Sequence, residues 1–164
     1  MTEIALRPAG QEDLDTLWDF LAMAGYEPHA AAAKAIPMLA AYLDGWQRPQ
    51  DFGFIAEQDG AAIGAIWARQ FEPNEDPAYY CEEQTPEVAV AVKSHARGQG
   101  SGQTLLRALM AEAAGRGFRL CLNVRSTNPA LRLYERMGFQ PIPGMTVPNR
   151  VGGVSIWMVW RVAS

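Results

Sequence analysis

A glycine-rich segment near the middle of the chain, Arg97-Gly98-Gln99-Gly100-Ser101-Gly102, lies between a predicted strand and a predicted helix. The strand covers Glu87–Val92, where β-branched and small residues alternate with period two and place the valines on one face. The helix follows the loop, since apolar residues from Leu105 to Ala113 recur about every 3.6 residues. Backbone amides and the positive end of a helix dipole therefore converge, and the segment predicts a phosphate-binding site.

The residues of this loop also indicate which phosphate site it is not. Side chains at the glycines would block the approach of a pyrophosphate, and Arg97 adds a guanidinium for the same oxygens. Gln103 follows Gly102, whereas a P-loop needs Lys at that point and a dinucleotide fingerprint needs a further glycine. The fingerprint also requires an acidic residue about 20 positions later, and none is present. A nucleoside triphosphatase and a Rossmann-type enzyme are both disfavoured.

A second segment, Asn123 to Phe139, carries Asn128 at the start of a predicted helix and Tyr134 within it. The glycine loop fits the signature Arg/Gln-x-x-Gly-x-Gly/Ala of the GCN5-related N-acetyltransferase (GNAT) family. The second segment is similar to that family's pattern Asn-x-x-Ala-x-x-x-Tyr-x-x-x-Gly-Phe. The resemblance covers positions 87 to 139 and identifies the chain as a member of this family.

The resemblance implies an α/β (α+β) fold of the GNAT type, built as one domain over residues 1–164. Its mixed, mostly antiparallel sheet has six to seven strands flanked by about four helices, in the order β-α-α-β-β-β-α-β-α-β. The residue pattern agrees, with an extra strand near Ile142 as an option. It predicts a hairpin at Asp59-Gly60, a break at Pro37 in the second helical stretch, and an irregular stretch over 70–84.

By resemblance, the chain moves an acetyl group from acetyl-CoA to a primary amine of a small molecule or peptide, by direct attack in a ternary complex without a metal. Tyr134 is then the general acid and Glu87 the candidate base, acting directly or through water. The backbone of Val90 and Val92 would pair with the pantetheine arm, which Asn128 would also contact. The cofactor-binding residues implied are Val90, Ala91, Val92, Arg97, Gly98, Gln99, Gly100, Ser101, Gly102, Gln103, Asn128, Leu131 and Tyr134.

The sequence leaves several alternatives open. Glu87 at the start of a strand is also typical of a solvated residue, Tyr134 of a core aromatic, and Asn128 of a helix cap. The whole chain fits a non-catalytic acyl-CoA sensor or partner-binding domain as well. The acidic stretch Glu72 to Glu83 suits a cationic acceptor, although charged loops are commonly just solvated.

Composition also indicates which partners and which location to expect for the protein. The net charge of −4, from 14 basic and 18 acidic residues, and the absence of a basic run argue against nucleic acid as a partner. No apolar window reaches the ~18 residues of a membrane span, so we expect a cytoplasmic protein. Cys81 and Cys121 lack partners at zinc-ligand spacing and are expected to be reduced. We expect a monomer or a homodimer; Trp157 and Trp160 fit either an interface or burial within the monomer.

Overall fold

The computed structural model describes residues 3–73, 82–148 and 152–162. Within these ranges the strands are β1 (Ala5–Pro8), β2 (Phe52–Gln58), β3 (Ala61–Arg69), β4 (Glu87–Val92), β5 (Leu120–Arg125), β6 (Gln140–Pro148) and β7 (Val154–Trp160). The α-helices are α1 (Leu14–Ala24), α2 (Ala30–Lys34), α3 (Pro37–Ala40), α4 (Ser101–Gly115) and α5 (Ala130–Arg136). The strands follow the order β1-β2-β3-β4-β5-β7-β6 in a mixed sheet. The predicted sheet of six to seven strands with flanking helices is confirmed.

Contacts within the chain divide it into two compact units. Unit 1 comprises residues 1–69 and 88–112, and unit 2 comprises residues 70–87 and 113–164. The chain passes between the units inside β4, after Glu87, and inside α4, after Glu112. Neither unit is a continuous stretch of sequence, and the single domain over 1–164 stays a prediction.

Unit 1 contains the predicted hairpin and a broken helical stretch. Asp59 and Gly60 have φ values of 55° and 77°, and they connect the antiparallel strands β2 and β3. These positive φ values are what a two-residue hairpin turn requires, which is why Asp-Gly occupies it. Pro37 stands at the first position of α3 and separates that helix from α2, so the stretch forms two short helices.

Close packing in unit 1 brings α4 against the sheet. Gly64 of β3 faces the end of β4, and a Cβ added there would lie 3.1 Å from the Ala91 carbonyl oxygen and 3.1 Å from Leu105. Leu105, Leu106 and Leu109 are at most 1% exposed, as the helical period predicts. The glycine loop is therefore held between a buried strand and a helix with a buried apolar face.

Unit 2 is built on β5, β7 and β6. β5 is antiparallel to β7, β7 is antiparallel to β6, and Glu87 pairs in parallel with Cys121 of β5. The optional strand near Ile142 exists as β6. Both edges of β7 are thus paired within the chain, and Trp157 is buried in this unit, so burial accounts for that tryptophan.

The stretch 70–84 and Cys121 were also subjects of prediction. The described parts of the stretch 70–84 contain neither helix nor strand, while residues 74–81, including Cys81, lie outside the described residues. Cys121 is a buried thiol whose Sγ donates to the Thr85 carbonyl oxygen at 3.6 Å. Among the described residues, no helix is long and apolar enough to cross a membrane.

Candidate active site

The glycine loop in unit 1 adopts a conformation that only glycine takes readily. Gly98 and Gly100 have φ values of 80° and 82°, in the left-handed region. A Cβ added at either position would meet nothing within 4 Å, so backbone conformation, and not crowding by protein atoms, requires these glycines. The space above the loop is consequently open to a ligand.

The residues around these glycines differ in exposure. Arg97 is exposed, and its Nε donates to the Val92 carbonyl oxygen at 3.1 Å, which ties the arginine to the end of β4. Gln99 is exposed, while Gly102 and Gln103 in the first turn of α4 are partly exposed. An exposed guanidinium and exposed backbone therefore lie directly before the N-terminus of α4. This is the arrangement that the sequence predicts for binding an anion.

Ser101 behaves differently from the rest of the loop. It is 2% exposed, and its Oγ has no hydrogen-bond partner among the described residues. The side chain therefore lies inside the protein, and a contribution of Ser101 to ligand binding would come from its backbone.

β4 places the other predicted cofactor residues of unit 1. Ala91 is buried, whereas Val90 and Val92 are partly exposed. Lys93, directly after the strand, donates its backbone N–H to the Ile63 carbonyl oxygen at 2.8 Å and keeps this end of β4 on β3. The strand end is thus fixed in position immediately before the glycine loop.

Glu87, at the first residue of β4, belongs to unit 2 and is 1% exposed. The interpretation as a solvated residue is therefore wrong, because Glu87 is buried and pairs in parallel with Cys121 of β5. Burial raises the pKa of the Glu87 carboxyl well above its usual value, since the charged form loses its hydration. The Asn123 side chain donates from Nδ2 to Glu87 Oε2 at 3.3 Å.

Asn123 is the polar neighbour that sequence reasoning missed. Residues 121, 123 and 125 share one face of β5 by the period of two, and Cys121 is the residue opposite Glu87. The strand alternation could have placed Asn123 on that face. It could not have supplied the pairing of β5 with Glu87, 36 positions away.

The α5 region of unit 2 holds Asn128, Leu131 and Tyr134. Asn128 Oδ1 accepts from the Ala130 backbone N–H at 2.9 Å, and the Asn128 carbonyl accepts from the Leu131 N–H at 3.1 Å. Pro129 directly precedes α5, and the Asn128 side chain before it accepts from the first N–H of the helix, as a capping residue does. Leu131 is partly exposed and Tyr134 is 8% exposed, its ring meeting Phe139 edge-on at 5.9 Å between centroids.

The spacing of this segment departs from the family pattern at one point. Asn128 lies two positions before Ala130, where the pattern has three, and Thr127 occupies the pattern's position. Ala130, Tyr134, Gly138 and Phe139 keep the expected spacing. The role carried over to Tyr134 is supported by this spacing, whereas the pantetheine contact carried over to Asn128 is weakened.

The acidic stretch is partly neutralised within unit 2. Glu82 lies 3.3 Å from the Arg119 guanidinium and 3.5 Å from that of Arg161. Its charge is thereby compensated, which weakens this residue as an attraction for a cationic acceptor. Among the described residues, no cluster of three His, Cys, Asp or Glu side chains could hold a metal ion.

Solved structures share this fold. An N-acetyltransferase from Staphylococcus aureus Mu50 superimposes with a TM-score of 0.72 at 24% identity, covering 98% of this chain and 99% of its own. A protein from Salmonella typhimurium, solved with its cofactor acetyl-CoA, gives a TM-score of 0.74 at 20% identity, covering 98% of this chain and 95% of its own. At these low identities, the superpositions show a shared fold.

Residues 14–139 match the acetyltransferase (GNAT) family, and the chain belongs to that family. A mycothiol acetyltransferase from Amycolatopsis mediterranei (strain U-32) is 37% identical over 93 residues, which are 55% of this chain and 30% of that relative. The chain spans about a third of the length of the curated relatives that it matches. The prediction of the family is confirmed.

Proposed function

We propose that this chain transfers the acetyl group of acetyl-CoA to a primary amine of a small molecule or peptide, with both substrates bound together. The observation that carries the proposal is the loop at the start of α4, where Gly98 and Gly100 hold positive φ values beneath open space. This arrangement suits a diphosphate, because the two glycines carry no side chains that would block its approach. The unpaired backbone N–H groups at the N-terminus of α4 can then donate to its oxygens. Arg97 beside them adds a charged donor.

The chemistry starts from a bound thioester. Acetyl-CoA, when bound, supplies an activated acyl carbon to which the amine nitrogen of the acceptor bonds, and the carbon–sulfur bond breaks. The chain's own residues hold the donor and handle protons. In the proposal, the loop amides of residues 98–103 hold the diphosphate, and the backbone of Val90 and Val92 aligns the pantetheine arm as an added strand would.

An amine acceptor must lose a proton before or during attack. With a pKa of ~10.4, a lysine-like amine is neutral in only about one molecule in 2,500 at pH 7, which corresponds to about 4.6 kcal/mol. Glu87 is proposed as the base, directly or through water. Burial supports this role, because it raises the Glu87 pKa, and a carboxylate with a higher pKa is a stronger base towards the proton of the amine.

The departing sulfur needs a proton in turn. Tyr134 is proposed as the general acid, its phenol giving a proton to the thiolate. Support comes from the spacing of Tyr134 from Gly138 and Phe139, and from its position on the short helix α5, whose start the Asn128 side chain fixes. Tyr134→Phe removes only the hydroxyl, so the substitution tests this role with little change in packing.

The test of the binding site uses two glycines with equal backbone demands. Gly100 (φ 82°) and Gly60 (φ 77°) both have open space where a Cβ would stand, but Gly60 lies in the β2–β3 turn. Gly100→Ala and Gly60→Ala should each cost about 1 kcal/mol of stability, since an L-residue is strained at positive φ. Calorimetric titration with acetyl-CoA should show tenfold or greater loss of affinity in Gly100→Ala only. Equal affinity in the two variants would refute the loop as the site.

Turnover separates an enzyme from an acyl-CoA sensor. Release of free thiol is measured with polyamines, amino acids and peptides as acceptors, for the wild type and for Tyr134→Phe. Acetyl transfer predicts that thiol release depends on the presence of an amine. A fall of at least tenfold in Tyr134→Phe is expected if Tyr134 is the general acid. Tight binding without release on any acceptor would replace the proposal by the sensor.

A further inference from the structure

Asn123 is the residue that joins a buried carboxyl group to the surface of unit 2. Its side-chain amide donates from Nδ2 to Glu87 Oε2 at 3.3 Å, and Glu87 is 1% exposed whereas Asn123 is exposed. Both residues belong to unit 2, and both lie in strands, so their backbones are fixed by the sheet. The hydrogen bond consequently acts on a carboxylate whose own strand gives it little freedom.

A donor at this point has a defined electrostatic effect. A hydrogen bond to the ionised form of a carboxyl group favours that form and lowers its pKa, which opposes the effect of burial. On β5, the titratable or charged residues on the face of Asn123 are Cys121, opposite Glu87, and Arg125. α5, which packs against β5, adds Tyr134. Burial is what raises the pKa of Glu87, so a donor that favours the ionised form acts against it.

We propose that Asn123 is a positioning residue for the proposed reaction: its amide orients the Glu87 carboxylate and holds it ionised until a proton arrives from the acceptor amine. The inference rests on the proposed function, because it assigns Asn123 to the base of that reaction. In the step concerned, one proton moves from the amine nitrogen to a Glu87 carboxylate oxygen, which becomes a neutral carboxylic acid. Asn123 itself gains and loses no proton.

The experiment measures kcat/KM against pH for the wild type, Glu87→Gln and three variants at position 123: Asn123→Leu, Asn123→Asp and Asn123→Gln. Asn123→Leu keeps the approximate size and removes the donor, so the acid limb should move to higher pH by about 0.5 to 1 unit. Asn123→Asp places a second carboxylate beside that of Glu87 and should move the acid limb to still higher pH than Asn123→Leu does. Asn123→Gln retains an amide and should restore part of the shift. The KM for acetyl-CoA should stay within about twofold of the wild type in all three.

Titration of the Glu87 carboxyl by NMR in the wild type and in Asn123→Leu gives a readout independent of turnover. A higher Glu87 pKa in Asn123→Leu, together with the shifted acid limb, supports the inference. If Glu87→Gln abolishes the acid limb but Asn123→Leu moves neither the limb nor the NMR pKa, the inference fails while the base stands. If Glu87→Gln retains the limb, Glu87 is not the base, and the proposed mechanism and the inference both fail.

Discussion

The Arg69 guanidinium and the Asp51 carboxylate form a two-point ion pair, with Nε–Oδ1 and Nη2–Oδ2 distances of 3.1 and 2.7 Å. Both side chains are 1% exposed. Arg69 also donates to the Ala41 carbonyl oxygen at 2.9 Å, and Asp51 accepts from the Arg48 backbone N–H at 2.8 Å. One buried pair therefore ties the end of β3 to the connection between α3 and β2, at Ala41, Arg48 and Asp51.

Breaking this pair should be costly. Asp51→Asn leaves the Arg69 charge buried without its counter-charge, and such losses typically amount to about 3–5 kcal/mol. We expect that decrease in the free energy of unfolding, measured by urea titration with tryptophan fluorescence.

Glu57→Gln is the matched control for Asp51→Asn. Glu57 accepts from Arg7 Nε at 3.1 Å, but the two side chains are 31% and 39% exposed. Solvent screening should limit the loss to less than about 1 kcal/mol. Equal losses for the two substitutions would mean that burial does not set the strength of the Arg69–Asp51 pair.

Ser101→Ala should leave stability unchanged or raise it by up to about 1 kcal/mol. The Ser101 hydroxyl is buried and has no partner among the described residues, so its removal ends a desolvation penalty without losing a hydrogen bond. Thr104→Val is the control, because the Thr104 hydroxyl donates to the Gly100 carbonyl oxygen at 2.9 Å. That variant should lose about 0.5–1 kcal/mol. A loss in Ser101→Ala comparable with that in Thr104→Val would reveal a partner for the Ser101 hydroxyl.

Glu87 should make the protein less stable as the pH rises. Its pKa in the folded state lies above the usual value near 4.5, so the native state binds more protons than the unfolded state between those two values. Stability is fully present below the unfolded pKa and is lost as pH rises through the folded pKa. Glu87→Gln does not titrate, and its advantage over the wild type should grow from pH 4 to pH 8 in urea titrations.

Asp13 provides a control of opposite sign for Glu87→Gln. A hydrogen bond from Arg7 lowers the pKa of the Asp13 carboxyl. Asp13 therefore stabilises the folded protein above its unfolded pKa, and this stabilisation is lost as the pH falls through its folded pKa. The deficit of Asp13→Asn should therefore shrink as the pH falls below about 4. An advantage of Glu87→Gln that stays constant with pH would contradict the raised pKa.

Local patterns predicted most of the elements, and long-range pairing explains what they missed. β4 has the predicted bounds, because period-two alternation and flanking breakers are contained within about ten residues. The Asn128 cap was predictable for the same reason. The burial of Glu87 and its contact with Asn123 were not, since they depend on the pairing of β4 with β5, and Asn123 lies 36 positions from Glu87 in the chain. The site residues were named from a family pattern, and that pattern contains no information on burial.

The end of α1 shows a second limit of local patterns. Gly25 follows the last helical residue, where glycine commonly adopts positive φ, but its φ is −89°, and the positive φ of 61° belongs to Tyr26. The Glu27 N–H donates to the Ala22 carbonyl and the Tyr26 N–H to the Met23 carbonyl, the pair of bonds that closes a Schellman motif around Tyr26. A Cβ on Gly25 would stand 2.6 Å from the end of the Leu39 side chain, so glycine serves close packing there.

Tyr26 therefore carries a backbone strain that glycine would relieve. The informative comparison is between Tyr26→Gly and Tyr26→Ala, because both remove the exposed ring and only alanine keeps the Cβ. Tyr26→Gly should be more stable than Tyr26→Ala by about 1 kcal/mol in urea titrations, even though glycine gains more freedom in the unfolded state. At the solvent-exposed Ala61 in β3, where the chain is extended, Ala61→Gly should instead lose stability. If alanine at position 26 equalled glycine, the chain would relax out of the left-handed region there, and the Schellman bonds from residues 26 and 27 would be lost in that variant.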